Sequence, residues 1–187
     1  MATEFVTRVV NALRKMEFPY MVVGSFSSSV YGTPRSTKDA DFVIEMADQS
    51  ISDLAREIGT DFRLDPQMSF ETVSSTMRYK LSHPSTGFTV KLFFLSDDPH
   101  DQARFQRRVS GDIGDNQETF LPTAEDVIIT KLRWSKHGQR RKDIDDTAAV
   151  MAVQAGRLDL AYVRHWCDQH QTRDIFERLL LETQEFQ

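Results

Sequence analysis

A Gly24-Ser25 pair is separated by thirteen residues, Phe26 to Lys38, from two acids two residues apart, Asp39 and Asp41, at the head of an apolar run. On a strand, residues i and i+2 share a face, so these carboxylates would stand a few ångströms apart and repel unless a cation lies between them. Two-metal sites hold their ions ~3.5–4 Å apart, and an all-oxygen donor set points to magnesium. Gly24-Ser25 ends another apolar run and opens a helix, where backbone N–H groups and a hydroxyl can face a phosphate. Alone, an Asp-x-Asp is more often a solvated strand end and a Gly-Ser more often a turn. The ordered series of strand, Gly-Ser, helix, loop, Asp-x-Asp and strand is far more specific.

The surrounding elements must hold these groups. Phe5, Val6, Val9, Val10, Leu13 and Met16 recur at helical spacing and predict an amphipathic helix. A strand over 20–23 leads into a short helix over 26–32, which Gly32-Thr-Pro-Arg35 breaks. The next strand, over 39–46, turns Ala40, Phe42, Ile44 and Met46 to one face and Asp39, Asp41, Val43 and Glu45 to the other. A crossover helix over 52–58 and paired antiparallel strands over 77–81 and 88–95 follow. Beyond Thr123 the period changes from two to 3.6. Thr123, with Asp126 three residues on, reads as a helix cap, and three more helices follow over about 142–153, 160–170 and 173–182. The expected fold class is α/β (α+β), with an α/β domain over 1–121, a helical domain over 122–187 and a cleft between them.

Composition narrows the function. With 23 Lys+Arg against 28 Asp+Glu the net charge is −5, which argues against a general nucleic-acid coat. Cys167 is the single cysteine, and no run approaches the ~20 apolar residues of a spanning helix, so the expectation is a cytoplasmic protein with no membrane partner. The stretch from Arg133 to Lys142 interleaves five cations with Trp134. RNA contact through Arg140, Arg141 and Lys142 is one reading of it, and a solvated bend with Trp134 in the core is the other.

The Gly-Ser and Asp-x-Asp pattern resembles that of the DNA polymerase beta-type nucleotidyltransferase superfamily. Arg35-Ser-Thr-Lys-Asp-Ala-Asp41 resembles the variant found in minimal bacterial nucleotidyltransferases. Glu125-Asp-Val-Ile-Ile-Thr-Lys131-Leu and Arg141-Lys-Asp143-Ile-Asp-Asp146 look like helical-domain motifs of the nucleotidyltransferase toxins of abortive-infection systems. The resemblance implies a small mixed sheet with helices, followed by a helical C-terminal domain. It implies a nucleoside triphosphate (NTP) substrate, Mg2+ on Asp39 and Asp41, and transfer of a nucleoside monophosphate to a hydroxyl as pyrophosphate leaves. Gly24 and Ser25 would hold the β- and γ-phosphates, and Arg35, Thr37 and Asp143 would belong to the nucleotide site. Lys131 would neutralise the triphosphate or the leaving pyrophosphate, and would act in catalysis with Asp39 and Asp41. The plainer reading of Lys131 is a snorkelling lysine, and that of Asp143 a first-turn helix carboxylate. A small molecule such as an aminoglycoside, a protein hydroxyl and an RNA 3′ end all remain open as acceptors.

One position departs from the family pattern. A later strand normally carries a third carboxylate, but here it reads Thr89-Val-Lys91-Leu-Phe-Phe-Leu95. Lys91 faces away from Val90, Leu92 and Phe94, toward the cleft. An ammonium ~4 Å from a carboxylate, at an effective dielectric near 20, is attracted by roughly 4 kcal/mol. Lys91 is therefore expected to pair with Asp41 where a metal would otherwise sit. Asp97 and Asp98 lie ~20 Å along an extended strand, too far to substitute. The rival expectation is a catalytically impaired nucleotide-binding or partner-binding module of the same fold.

Overall fold

A computed structural model describes residues 2–114, 116–138 and 141–185; Arg140 lies outside them. Strand β1 (Tyr20–Val23) runs antiparallel to β2 (Asp39–Ile44), and β2 runs parallel to β6 (Phe88–Phe94). The sheet continues with antiparallel β5 (Thr76–His83), against which both β3 (Arg63–Leu64) and β4 (Ser69–Glu71) pair. Its order is β1-β2-β6-β5-β3, a small mixed sheet.

Alternation along the central strands gives the sheet two different faces. Ala40, Phe42, Ile44, Val90 and Leu92 point down onto helix α1 (Ala2–Lys15) and helix α3 (Ile51–Ile58), whose Phe5, Val6, Val9, Leu13, Leu54 and Ile58 complete one apolar core. The upper face carries Asp39, Asp41 and Lys91. Val23 and Val43 there pack with Phe105 of helix α4 (Pro99–Gln106). A hairpin, β7 (Val109–Asp112) and β8 (Glu118–Leu121), closes this half. Helices α5 (Ala124–Gly138), α6 (Arg141–Val153), α7 (Leu160–His170) and α8 (Arg173–Glu185) then build a second core from Ile128, Ile129, Leu132, Val150, Val163, Cys167 and Phe176.

The observed α/β half followed by helices matches the expected class, with differences at element ends. The strand expected over 39–46 stops at Ile44, and Leu95 N–H donates to the Ile44 carbonyl as the chain leaves the sheet. Helix α2 (Gly24–Tyr31) begins at Gly24 itself, two residues earlier than the expected span of 26–32. Helix α4 was not anticipated, although its start carries a readable signal. The Asp98 carboxylate accepts from the N–H groups of His100 and Asp101, and Pro99 occupies the first turn. Among the described residues no helix is long and apolar enough to cross a membrane.

Candidate active site

Gly24 has φ +68°, a left-handed conformation natural to glycine, and a Cβ placed on it would lie 2.4 Å from Asp41 Oδ2. The start of helix α2 is thereby pressed against the acidic strand. Ser25 follows in the first turn, buried, with its hydroxyl accepting from Arg35 Nη2 at 2.6 Å. Across the sheet Asp41 is in register with Lys91. The Lys91 ammonium lies 2.9 Å from Asp39 Oδ2 and 3.3 Å from Asp41 Oδ1, so it bridges the two carboxylates. Asp39 Oδ1 accepts from the Thr37 hydroxyl at 2.6 Å. Burial opposes ionisation of Asp39, but the bonds from Thr37 and Lys91 outweigh it and hold the carboxyl below its ordinary pKa. Asp41 moves the other way. Burial lifts its pKa and neighbouring Asp39 adds to the rise, while Lys91 only partly offsets it. Lys91 resists the downward pull of its own burial because both acids favour its charged form.

A second cluster stands beside the helix start, where α5 and α6 meet the sheet half. Lys131 Nζ contacts Asp143 Oδ1 at 3.0 Å and Asp146 Oδ2 at 2.7 Å. Arg35 approaches Asp146 through Nε at 3.1 Å and Nη2 at 3.2 Å, and the Ser28 hydroxyl donates to it at 3.4 Å. Asp146 thus contacts both Arg35 and Lys131, cations that the resemblance assigns to the nucleotide site. Those cations hold its carboxyl below the ordinary range against the effect of burial. Lys131 is buried and tied down at its ammonium, not a snorkelling surface lysine. Asp143 is both a first-turn carboxylate of α6 and the partner of Lys131. Lys142 lines the same cleft; burial, then Arg35 and Lys131, push its pKa down.

The structure brings Gly24, Ser25, Asp39, Asp41, Lys91, Lys131, Lys142 and Asp143 to one cleft, with about 940 Å³ of empty space counted out to its open mouth. Arg35 and Thr37 reach it through their hydrogen bonds to Ser25 and Asp39. Sequence reasoning missed its far wall. There Arg104 Nε meets Asp101 Oδ1 at 2.8 Å, and Asp126 collects His100 Nε2 at 3.1 Å and the Tyr162 hydroxyl at 2.8 Å. Arg78 and Phe93 come from paired positions of β5 and β6. Trp134, placed in either the core or a stacking surface by sequence, lines the cleft and is half-buried. The role of Asp146 had a legible signal, since it follows Asp143 by three residues and so shares its helix face.

A resident pair of divalent ions fits this arrangement poorly. An ion bridging Asp39 and Asp41 would stand where the Lys91 ammonium stands. Among the described residues no three acidic, histidine or cysteine side chains gather closely enough to hold a metal. Asp41 Oδ1 is buried without a hydrogen bond, 3.3 Å from Lys91 Nζ but off the bonding direction.

No protein-family model matches the sequence, and no curated protein matches it. Solved structures do match the fold. The solution structure of the antibiotic-resistance factor ANT(2'')-Ia aligns over 100% of this chain and 98% of its own, at 10% identity and TM-score 0.62. The crystal structure of ANT(2'')-Ia in complex with adenylyl-2''-tobramycin aligns over 91% and 98%, again at 10% identity and TM-score 0.62. JHP933 from Helicobacter pylori aligns over 98% and 94% at 14% identity and TM-score 0.43.

Proposed function

We propose that this chain, which has the nucleotidyltransferase fold, binds a magnesium–nucleoside triphosphate in the cleft and passes its nucleoside monophosphate to a hydroxyl acceptor. The observation that carries the reading is Gly24, whose left-handed backbone and missing side chain set a helix start directly against the Asp39–Asp41 strand. Anion seat and carboxylate pair become a single site. The fold match to a protein solved in complex with adenylyl-2''-tobramycin supports the same reaction class.

In that reaction the acceptor oxygen bonds to the α-phosphorus, the bond from that phosphorus to the α–β bridging oxygen breaks, and pyrophosphate departs. The hydroxyl proton passes to Asp41, whose burial favours the protonated form. Gly24 and Ser25 offer the amide end of α2 to the β- and γ-phosphates. Arg35, Lys131 and Lys142 neutralise them, and Thr37 orients Asp39. Magnesium enters as part of the substrate, held chiefly by the phosphates. The ammonium of Lys91 supplies fixed positive charge beside the carboxylates, where the family pattern has an acid.

A second reading is favoured by the same lysine: a nucleotide-binding module that turns over little or not at all, because an ammonium bridges the carboxylates. Transfer of α-labelled phosphate from ATP separates the two. We expect slow transfer by the unaltered chain and at least a tenfold rise with Lys91→Asp once an acceptor is present. Calorimetry should show Mg-ATP binding at least tenfold tighter than ATP in EDTA. Equal affinities would remove the magnesium assignment. A cleft that takes no Mg-ATP at all would remove both readings.

A further inference from the structure

Resting on that nucleotide site, we infer that the acceptor is an anionic molecule, a phosphorylated sugar hydroxyl compound that seats its phosphate on Arg78 and its ring on Phe93, and not a polycation. Polycationic acceptors need available carboxylates, and among the described residues every acid lining the cleft already faces a cation or a hydrogen-bond donor of the chain. Asp39 and Asp41 share Lys91. Asp101 is held by Arg104 at 2.8 Å and by the Ser96 hydroxyl at 2.6 Å. Asp126 holds His100, with Arg107 at 3.6 Å, and Asp143 holds Lys131 at 3.0 Å. Drawing Asp101 to a ligand amine would strip buried Arg104 of its carboxylate, and drawing Asp39, Asp41, Asp126 or Asp143 would break contacts with Lys91, His100, Tyr162 or Lys131, each at a cost.

The cations are distributed differently. Among the described residues no carboxylate lies within 4 Å of Arg78, whose Nε donates to Ser69 Oγ at 3.0 Å and whose guanidinium carbon sits 5.7 Å from the centre of the Phe93 ring. Pairing of Lys80 with Lys91, Arg78 with Phe93 and Arg63 with Ser82 puts Lys80, Arg78 and Arg63 on the sheet face that carries Asp39 and Asp41. The acids on that side are engaged by their own turns. Asp65 accepts from Gln67 N–H, and buried Glu71 accepts from the N–H groups of Val73 and Ser74 and from the Ser74 hydroxyl. Arg78 is two strands across and two residues along from Asp41, about 12 Å between Cα atoms. With side chains reaching in from both ends, that span suits a sugar with its reacting hydroxyl at Asp41 and its phosphate at Arg78.

The test uses the full chain loaded with Mg2+ and an ATP analogue carrying a methylene between its α- and β-phosphates. Into this are titrated glucose 6-phosphate, AMP, their unphosphorylated parents glucose and adenosine, and tobramycin. At least one phosphorylated probe should bind, with its parent tenfold or more weaker. Binding by AMP alone identifies a nucleotide acceptor, and binding by glucose 6-phosphate alone a plain sugar phosphate. Arg78→Gln should weaken that probe at least tenfold, and Arg78→Lys should restore part of the loss, with the analogue's own affinity unchanged. Tobramycin binding in preference to every phosphorylated probe would overturn the inference. So would loaded protein that takes none of the probes, or an Arg78→Gln protein that binds its probe normally. Failure to load the analogue would instead bring down the nucleotide site itself.

Discussion

At the scale of single residues, two substitutions have opposite expected signs. Gly24→Ala forces a side chain into a left-handed backbone and against Asp41. It should cost about 1–3 kcal/mol in denaturant unfolding and abolish Mg-ATP binding. Asp146→Asn removes a charge that Arg35 and Lys131 both contact. It should also lower stability, by roughly 1–3 kcal/mol, because two cations lose a hydrogen-bonded anion. Yet it should raise Mg-ATP affinity severalfold in calorimetry, since the same cations become available to the triphosphate. Weaker nucleotide binding by this variant would mean that Asp146 positions those cations for the ligand instead of competing with it.

Among the elements, the seam between α4, α5 and α7 carries a pH dependence. His100 of α4 hydrogen-bonds Asp126 of α5, and its ring lies 4.9 Å from Trp166 and 5.2 Å from His170, both of α7. Burial, then the neighbouring Arg133 and the His100 ring, push His170 down to about 4. Burial likewise lowers His100, against the pull of Asp126. In the unfolded chain both imidazoles take up protons near pH 6.5. Between about pH 6.5 and 4 the unfolded state therefore binds more protons, so the stabilisation is fully present above 6.5 and is lost as pH falls toward 4. Asp98 and Asp126 are held below their ordinary range, so their contribution disappears only at lower pH. Thermal melts at pH 7, 6, 5 and 4 should show this early loss, and His170→Gln should flatten it. Identical pH profiles for the two proteins would place the acid sensitivity in other groups.

At the scale of the whole molecule, the sheet core and the helical core meet across the cleft through Arg35–Asp146, His100–Asp126 and Arg133–Asp98. A ligand seated between them should stabilise both together. At a concentration a hundred times its Kd, Mg-ATP should contribute about 2.7 kcal/mol, a rise of about 5–10 °C in Tm. Of the two tryptophans, Trp134 lines the cleft and Trp166 packs in the α4–α7 seam. Fluorescence should respond to the nucleotide in Trp166→Phe and not in Trp134→Phe.

The local patterns were legible because they rest on backbone periodicity and on chemistry carried by neighbours in the chain. Alternation in β2 and β6 set Asp39, Asp41 and Lys91 apart from Phe42, Ile44, Val90 and Leu92, and the change of period after Thr123 marked where helices take over. Gly24-Ser25 before Asp39-Ala-Asp41 indicated residues that the fold brings to one cleft, and the apolar neighbours of Lys91 indicated its direction. The parallel pairing of β2 with β6, which brings Lys91 into register with Asp41, depends on hydrogen bonds between segments some fifty residues apart in the chain. The capture of Arg35 and Lys131 by Asp146, the pairing of each acid in the cleft wall, and the cationic face around Arg78 arise in the same way. Periodicity assigns a side chain to a face, but which charges meet there, and so which ligand charge is left to bind, is decided only when the sheet and the helices pack.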